Sequence, residues 1–255
     1  MIARSANANA VPSIFWYLFE TLKDSNLQAR MWAEARTCKT EDGGFDITRL
    51  SNKPLLQSAY AEVLRLRVAI TMTRTDEFGD FNLAGYIIPR HKPIVIFSRT
   101  AALNEEAWAL AGRPPTQPLE EFYADRFLVY PETTSKEAGA KENTSAFSTE
   151  PPSEAMKEEN PKPSGAQFSL DGLAGCWLPY GGGQRMCPGR HFAKNEIIGT
   201  FALLFSKYEI ELTNADNSKV QPDMRWYPVG GLPPVCKVPF RIRKRAGKLN
   251  VNKVN

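Results

Sequence analysis

Apolar residues at positions 14, 15, 18, 19 and 22 return at helical spacing, with aromatic rings on most sides. The pattern predicts a deeply packed helix over residues 13–22. Residues 6–10 carry no turn or cap signal, so the sequence reads as opening inside a longer element. Residues 25–37 read as a second helix, ended by Gly43-Gly44. A third is marked over Pro54–Arg67, with Leu55, Leu56, Ala59, Val63 and Leu66 on a buried stripe and Pro54 in its first turn. Short apolar runs at 68–72, 86–88 and 93–97 read as one small sheet. Residues 113–130, rich in proline and aromatics without a period, read as an ordered meander. Residues 132–166 are dominated by Glu, Lys, Ser, Thr, Pro and Ala and predict a disordered insertion, its plain reading being a surface loop. A final helix over 188–206, apolar nearly all round, belongs in a core. Alternating Tyr208, Ile210 and Leu212, then residues 235–242, read as strands joined by a turn at Gly230-Gly231-Leu232-Pro233-Pro234.

Composition narrows the field. At 255 residues and 42% hydrophobic the chain can bury a sizeable core, and a scattered net charge of +4 does not describe a nucleic-acid groove. Residues 241–253 are locally basic and read as a solvated end. Four cysteines are too sparse for a disulfide framework and suggest a reducing compartment, or one cysteine with a special task. Two histidines leave little room for a multi-histidine metal site. The apolar stretch 11–22 is broken by Pro12 and Glu20 and is shorter than the roughly 20 residues of a membrane span, so the chain reads as soluble, or peripheral at most.

The most informative stretch is Trp177-Leu178-Pro179-Tyr180-Gly181-Gly182-Gly183-Gln184-Arg185-Met186-Cys187-Pro188-Gly189-Arg190. A phosphate-binding loop needs Lys-Ser/Thr after its last glycine, where Gln184-Arg185 stands. The dinucleotide fingerprint fails because its last glycine would fall on Met186. Zinc lacks companion ligands at short spacing. What the loop suits is presenting a thiolate to a soft metal. Glycines allow the positive φ angles that bend backbone around a sulfur, and a helix opening at Pro188 turns its positive end toward Cys187. Arg185 supplies a donor fork for a carboxylate, and Gly189 lets a flat ligand approach. The plain alternative for Cys187 is a buried structural thiol.

The pattern Tyr180-x-x-Gly183-x-Arg185-x-Cys187-x-Gly189 resembles the heme-binding signature of the cytochrome P-450 superfamily, in which the cysteine is the axial thiolate of heme iron. Tyr180 departs from it, since that superfamily usually has phenylalanine there. The resemblance implies further residues. Glu62 and Arg65, three apart on the third helix, are similar to the family's K-helix pair, and Arg126 in Phe122-Tyr123-Ala124-Asp125-Arg126-Phe127 to the meander arginine that joins it. The plain alternative for these three is a surface ion pair. Arg74 stands where relatives often carry a propionate-binding arginine, with a solvated arginine as its alternative. The segment Ala8-Asn9-Ala10-Val11-Pro12 lacks the family's usual acid and threonine and resembles the branch of sterol 7-alpha-hydroxylases and prostacyclin synthase, with Asn9 at the threonine's place. The alternative for Asn9 is a helix-kink partner of Pro12. The Gly230 to Pro234 turn corresponds to a substrate-lining loop, or is a plain turn.

The implied fold is mainly α with small β-sheets, the C-terminal part of the cytochrome P-450 fold. It is one incomplete domain: residues 1–131 from I helix to meander, 132–166 an insertion, and 167–255 the heme-thiolate loop, L helix and C-terminal strands. The implied function is a heme-binding monooxygenase of an apolar small molecule, in a truncated chain, using an NADPH-dependent reductase. The alternatives are a peroxide-rearranging heme-thiolate isomerase and a non-catalytic remnant. The resemblance places the protein at the endoplasmic reticulum membrane surface, and the lack of an anchor in this chain allows the cytoplasm instead.

Overall fold

The computed structural model describes residues 2–130, 165–214 and 216–245, with side chains from residue 8 onward. Residues 132–164 of the expected insertion, and the basic tail beyond 245, lie outside them.

Helix α1 spans Ile2–Lys23. Its apolar pattern marks only the second half, because the first is alanine, asparagine and serine, which carry no apolar period. Asp24 ends α1 and opens α2 (Ser25–Arg36), its carboxylate accepting the Asn26 and Leu27 N–H groups at 2.8 and 3.1 Å. Leu27, Met31 and Ala35, four apart, form the buried face of α2. The short α3 (Ile47–Leu50) is capped by Asp46.

Helix α4 (Pro54–Arg67) is the spine of the molecule. The sequence marks a stripe, but every residue from Ser58 to Leu66 is buried, because α1, α2, α7 and the sheet surround the helix. Its N-terminus is capped from outside. Lys53 offers no side-chain bond, and Glu34 of α2 instead accepts the Leu55 and Leu56 N–H groups at 3.2 and 3.1 Å. Burial pushes the Glu34 carboxyl above its ordinary pKa despite these two bonds.

Strands β1 (Val68–Arg74), β2 (Phe81–Leu83), β3 (Tyr86–Ile88) and β4 (Ile94–Phe97) follow. They do not form the single sheet expected. β2 and β3 make a separate hairpin across Ala84-Gly85, both at positive φ, so β3 finds its partner locally. Helices α5 (Ser98–Ala102) and α6 (Glu105–Leu110) lead through the meander to β5 (Leu128–Val129), which pairs with β6 (Gln167–Phe168). Helix α7 (Arg190–Lys207) begins two residues later than read, with Gly189 as its N-cap and Pro188 outside it. Its all-round burial does not hold: Ile197, Ile198, Phe201 and Phe205 enter the core against α1, while Phe192 is 66% exposed.

The chain closes with β7 (Tyr208–Leu212), β8 (Val229–Gly231) and β9 (Phe240–Lys244). β7 and β9 pair with each other, and β8 pairs with β1, giving an antiparallel sheet ordered β4-β1-β8. Gly230 and Gly231 are therefore strand residues rather than the turn expected. They are small because α1 crosses them: a Cβ on Gly231 would stand 2.9 Å from the Asn9 carbonyl oxygen.

Candidate functional site

Two neighbouring structures hang on α4. The first is an ion cluster buried between α4 and the meander. Arg65 donates from Nε and Nη2 to the Glu62 carboxylate at 2.7 and 2.8 Å, and Arg126 donates from Nε to the same carboxylate at 2.8 Å. The Tyr123 N–H adds a bond to Glu62 at 3.0 Å. The remaining guanidinium donors reach carbonyls: Arg65 that of Ala102, and Arg126 those of Gln117, Pro118 and Glu121. Glu62, Arg65 and Arg126 are all buried, so the surface-pair alternative does not describe them.

The second structure is the cysteine loop, anchored at Tyr60 and Ala61. The Trp177 indole N–H donates to the Ala61 carbonyl at 2.9 Å. The Cys187 N–H donates to the Tyr180 carbonyl at 3.0 Å, closing the loop on itself. Between these points Gly181 and Gly183 take φ of +77° and +67°, conformations open to glycine, while Gly182 is extended. The Tyr180 ring meets Trp177 edge-on, and its hydroxyl bonds the Tyr60 hydroxyl at 2.6 Å. Burial pushes the Tyr180 hydroxyl pKa up to about 12 and raises that of Tyr60 further.

Cys187 is exposed, so the buried-thiol alternative fails for it. It lines a cleft of about 450 Å³. It is lined by Tyr180, Pro188, Gly189 and the first turns of α7, by Asn9, Ala10 and Ser13 of α1, and by Leu64, Val68 and Ile70. A Cβ on Gly189 would stand 3.7 Å from the Cys187 sulfur. Cys38 and Cys176 are buried, and Cys236 faces a separate groove of about 800 Å³ beside the β7–β9 hairpin. Among the described residues no cluster of three His, Cys, Asp or Glu side chains could hold a metal ion. A lone thiol over an apolar cleft therefore suits a metal that brings its other ligands with it, as in a porphyrin.

Asn9 is set by the fold. Its side-chain oxygen accepts the Gly231 N–H at 3.0 Å, and its carbonyl accepts the Ser13 hydroxyl at 2.9 Å. A backbone N–H can donate only to the amide oxygen, so the Asn9 NH₂ is the half left for a ligand. Its side chain is thus tied to β8, not to the Pro12 turn. Arg74 is exposed and donates to the Thr73 and Gly182 carbonyls at 2.9 and 2.8 Å, which places it on the cysteine loop. Arg185 is exposed and makes no hydrogen bond to a described residue. Neither arginine lines the Cys187 cleft. Tyr60 and Phe192 escaped sequence reasoning. Phe192, on the expected core helix, lines the cleft instead, and Tyr60 carried a weak signal as a hydroxyl-bearing ring two residues before Glu62.

Comparison with known proteins follows the same stretch of chain. The cytochrome P450 family model matches residues 171–234. Cytochrome P450 monooxygenase fsoE of Humicola fuscoatra is 38% identical over 248 residues, covering 94% of this chain and 40% of that protein. Cytochrome P450 monooxygenase efuG of Hormonema carpetanum is 35% identical, covering 94% of the chain and 42% of that protein. Cytochrome P450 7A1 of Rattus norvegicus is 24% identical, covering 94% and 43%. The chain spans about two fifths of the length of these relatives.

Proposed function

We propose, for a chain that belongs to the cytochrome P450 family, that it forms the heme-thiolate part of a monooxygenase acting on an apolar small molecule, with Cys187 as the iron ligand. The cofactor of the family is heme with a cysteine thiolate as axial ligand. The observation that carries the reading is the position of Cys187. Of the two exposed cysteines, each beside an apolar hollow, it is the one that follows the Gly181 and Gly183 bends and has Gly189 beside its sulfur. On this reading the described residues correspond to the C-terminal part of the family fold, with the stretches on either side of residues 132–166 folding as one unit around α4.

Heme supplies redox chemistry at iron, placing one oxygen atom of dioxygen on the substrate and releasing the other as water, with electrons from NADPH through a reductase. The residues of this chain have simpler tasks. Cys187 binds the metal; Gly189 keeps the space beside the sulfur clear for a flat ring; Leu64, Val68, Ile70 and Phe192 keep water from its faces. The Glu62–Arg65–Arg126 cluster fixes α4 against the meander, and so fixes the helix from which the cysteine loop hangs. Arg185 and Arg74 stand at the loop as donors for carboxylates, Arg185 with its whole guanidinium free of described partners and Arg74 with part of it already bonded to Gly182. The same reading sets the protein at the surface of the endoplasmic reticulum membrane. Among the described residues no helix is long and apolar enough to cross one.

A second reading has a specific support. The cleft that Cys187 lines also presents the Asn9 amide, a donor that does not titrate, where relay of protons to oxygen calls for an acid. Such a cleft suits a substrate that arrives with its own peroxide bond and is rearranged without NADPH. Loading the chain with heme and recording the carbonyl complex of the reduced protein tests the ligand: Cys187→Ala abolishes the thiolate-type absorption and Cys236→Ala keeps it. The reverse result would sink the assignment. Turnover with NADPH and reductase against turnover with an organic hydroperoxide alone separates the two reactions.

A further inference from the structure

The cysteine loop is tied to α4 at two successive residues. Ala61 receives the Trp177 indole, and Tyr60 shares its hydroxyl with Tyr180 at 2.6 Å. Tyr180 is the residue whose carbonyl accepts the Cys187 N–H, so whatever holds Tyr180 also holds the backbone of the sulfur. Both phenols sit in a packed environment: Tyr60 is 5% exposed, and Tyr180 is part-buried against Trp177. Among the described residues neither hydroxyl has another hydrogen-bond partner, so each satisfies the other and removing one strands its mate. A phenylalanine at 180 would fill the same ring space and leave Tyr60 with nothing to bond. The two tyrosines are a matched pair, set on elements 120 residues apart in the chain.

We propose that Tyr60 is a positioning residue for Cys187, acting through the Tyr180 hydroxyl to hold the thiol-bearing loop in one register against α4. The loop has few other anchors. Residues 183–189 are exposed, and Arg74 holds it from its open edge through Gly182. The downstream limb is set separately, by Lys194 bonding Gln57 and Asn195 bonding Ser51. Loss of the tyrosine pair therefore frees the limb between Trp177 and Cys187 without unseating α7. The inference rests on the reading of Cys187 as the metal ligand only for its functional meaning; the geometry and its first test do not need the metal.

The experiment uses the full chain as Tyr60→Phe, Tyr180→Phe and the double variant. In the heme-free protein, the rate of maleimide addition at Cys187 is read by peptide mass, with exposed Cys236 as internal standard. Losing one net hydrogen bond shifts the held-to-free balance of the loop about fivefold. Each single variant should raise the Cys187 rate by about that factor, and the double variant, which has lost the same one bond and strands no hydroxyl, should rise no further than either single. Cys236 should not change. In the heme-loaded protein, each single variant should lose part of the thiolate-type carbonyl band to the thiol-type band, and the double should lose no more than either single. An unchanged Cys187 rate in both single variants, a wild-type rate in the double variant, or a double variant whose effect is the product of the two singles overturns the proposal. If the rates behave as expected but wild type shows no thiolate band, the positioning role stands and the reading of Cys187 as iron ligand falls.

Discussion

The ion cluster and the cysteine loop are anchored on the same two turns of α4, yet they are finished to different degrees. Around Glu62 a carboxylate and two guanidiniums meet with seven side-chain bonds of 2.7 to 3.2 Å and one backbone N–H, all within the protein. Around Cys187 the bonds are to backbone groups alone, its N–H donating to the Tyr180 carbonyl and its own carbonyl accepting from Arg190, while the thiol is exposed and Arg185 is free of described partners. Burial of charge tolerates no gap in the first case, because an unpaired buried ion costs several kcal/mol. The second leaves its thiol open on a cleft, with Arg185 unspent outside that cleft. The cluster stabilises the fold by itself, while the loop keeps its interactions for something else.

That contrast breaks most sharply at Glu62. Glu62→Ala leaves two guanidiniums buried without their carboxylate and should cost about 3 to 5 kcal/mol in urea unfolding of the full chain. A loss under about 1 kcal/mol would mean that water reaches the cluster and that it is no more finished than the loop. A smaller effect belongs to Glu34, which caps α4. Glu34→Ala should cost about 0.5 to 2 kcal/mol, the worth of a helix cap. Glu34 also carries a pH signature. Its folded pKa is raised above the ordinary 4.5, so the stability tied to its protonated form is fully present below that value and is lost as pH rises through the folded pKa. Glu34→Gln cannot titrate. The advantage of wild type over Glu34→Gln should therefore shrink as pH rises from 4.5 toward neutrality, and a gap that widens instead would reverse the sign assigned to burial. The smallest effect is expected at the loop. Arg74→Ala removes an exposed bond to Gly182 and should change stability by no more than about 0.5 kcal/mol. A loss as large as that at Glu62 would show that the loop is held as firmly as the cluster, and the comparison would fail.

Much of this was legible in the residues. Periodicity located the second half of α1 and α4, and the run from Tyr180 to Gly189 singled out Cys187 as a candidate, because local chemistry governs where glycine bends backbone and where proline starts a helix. Residues 208–212 showed a strand in their alternation. The misreadings fall where a partner distant in sequence decides. Gly230 and Gly231 look like a turn until α1 is laid across them; β3 looks like part of one sheet until β2 pairs with it; the stripe on α4 becomes a fully buried helix once four elements surround it. The N-terminal half of α1 has no apolar period, and its asparagine gains an orientation only from the Gly231 N–H of a strand. The sequence by itself determined which residues are the candidates for the chemistry: the thiol, the glycines beside it, the carboxylate and the arginines. Only the tertiary structure decided that Glu62 is buried with both arginines, that Asn9 and Cys187 line one cleft, and that Tyr60 meets Tyr180, because hydrogen bonds and desolvation depend on distances between side chains that the order of residues does not contain.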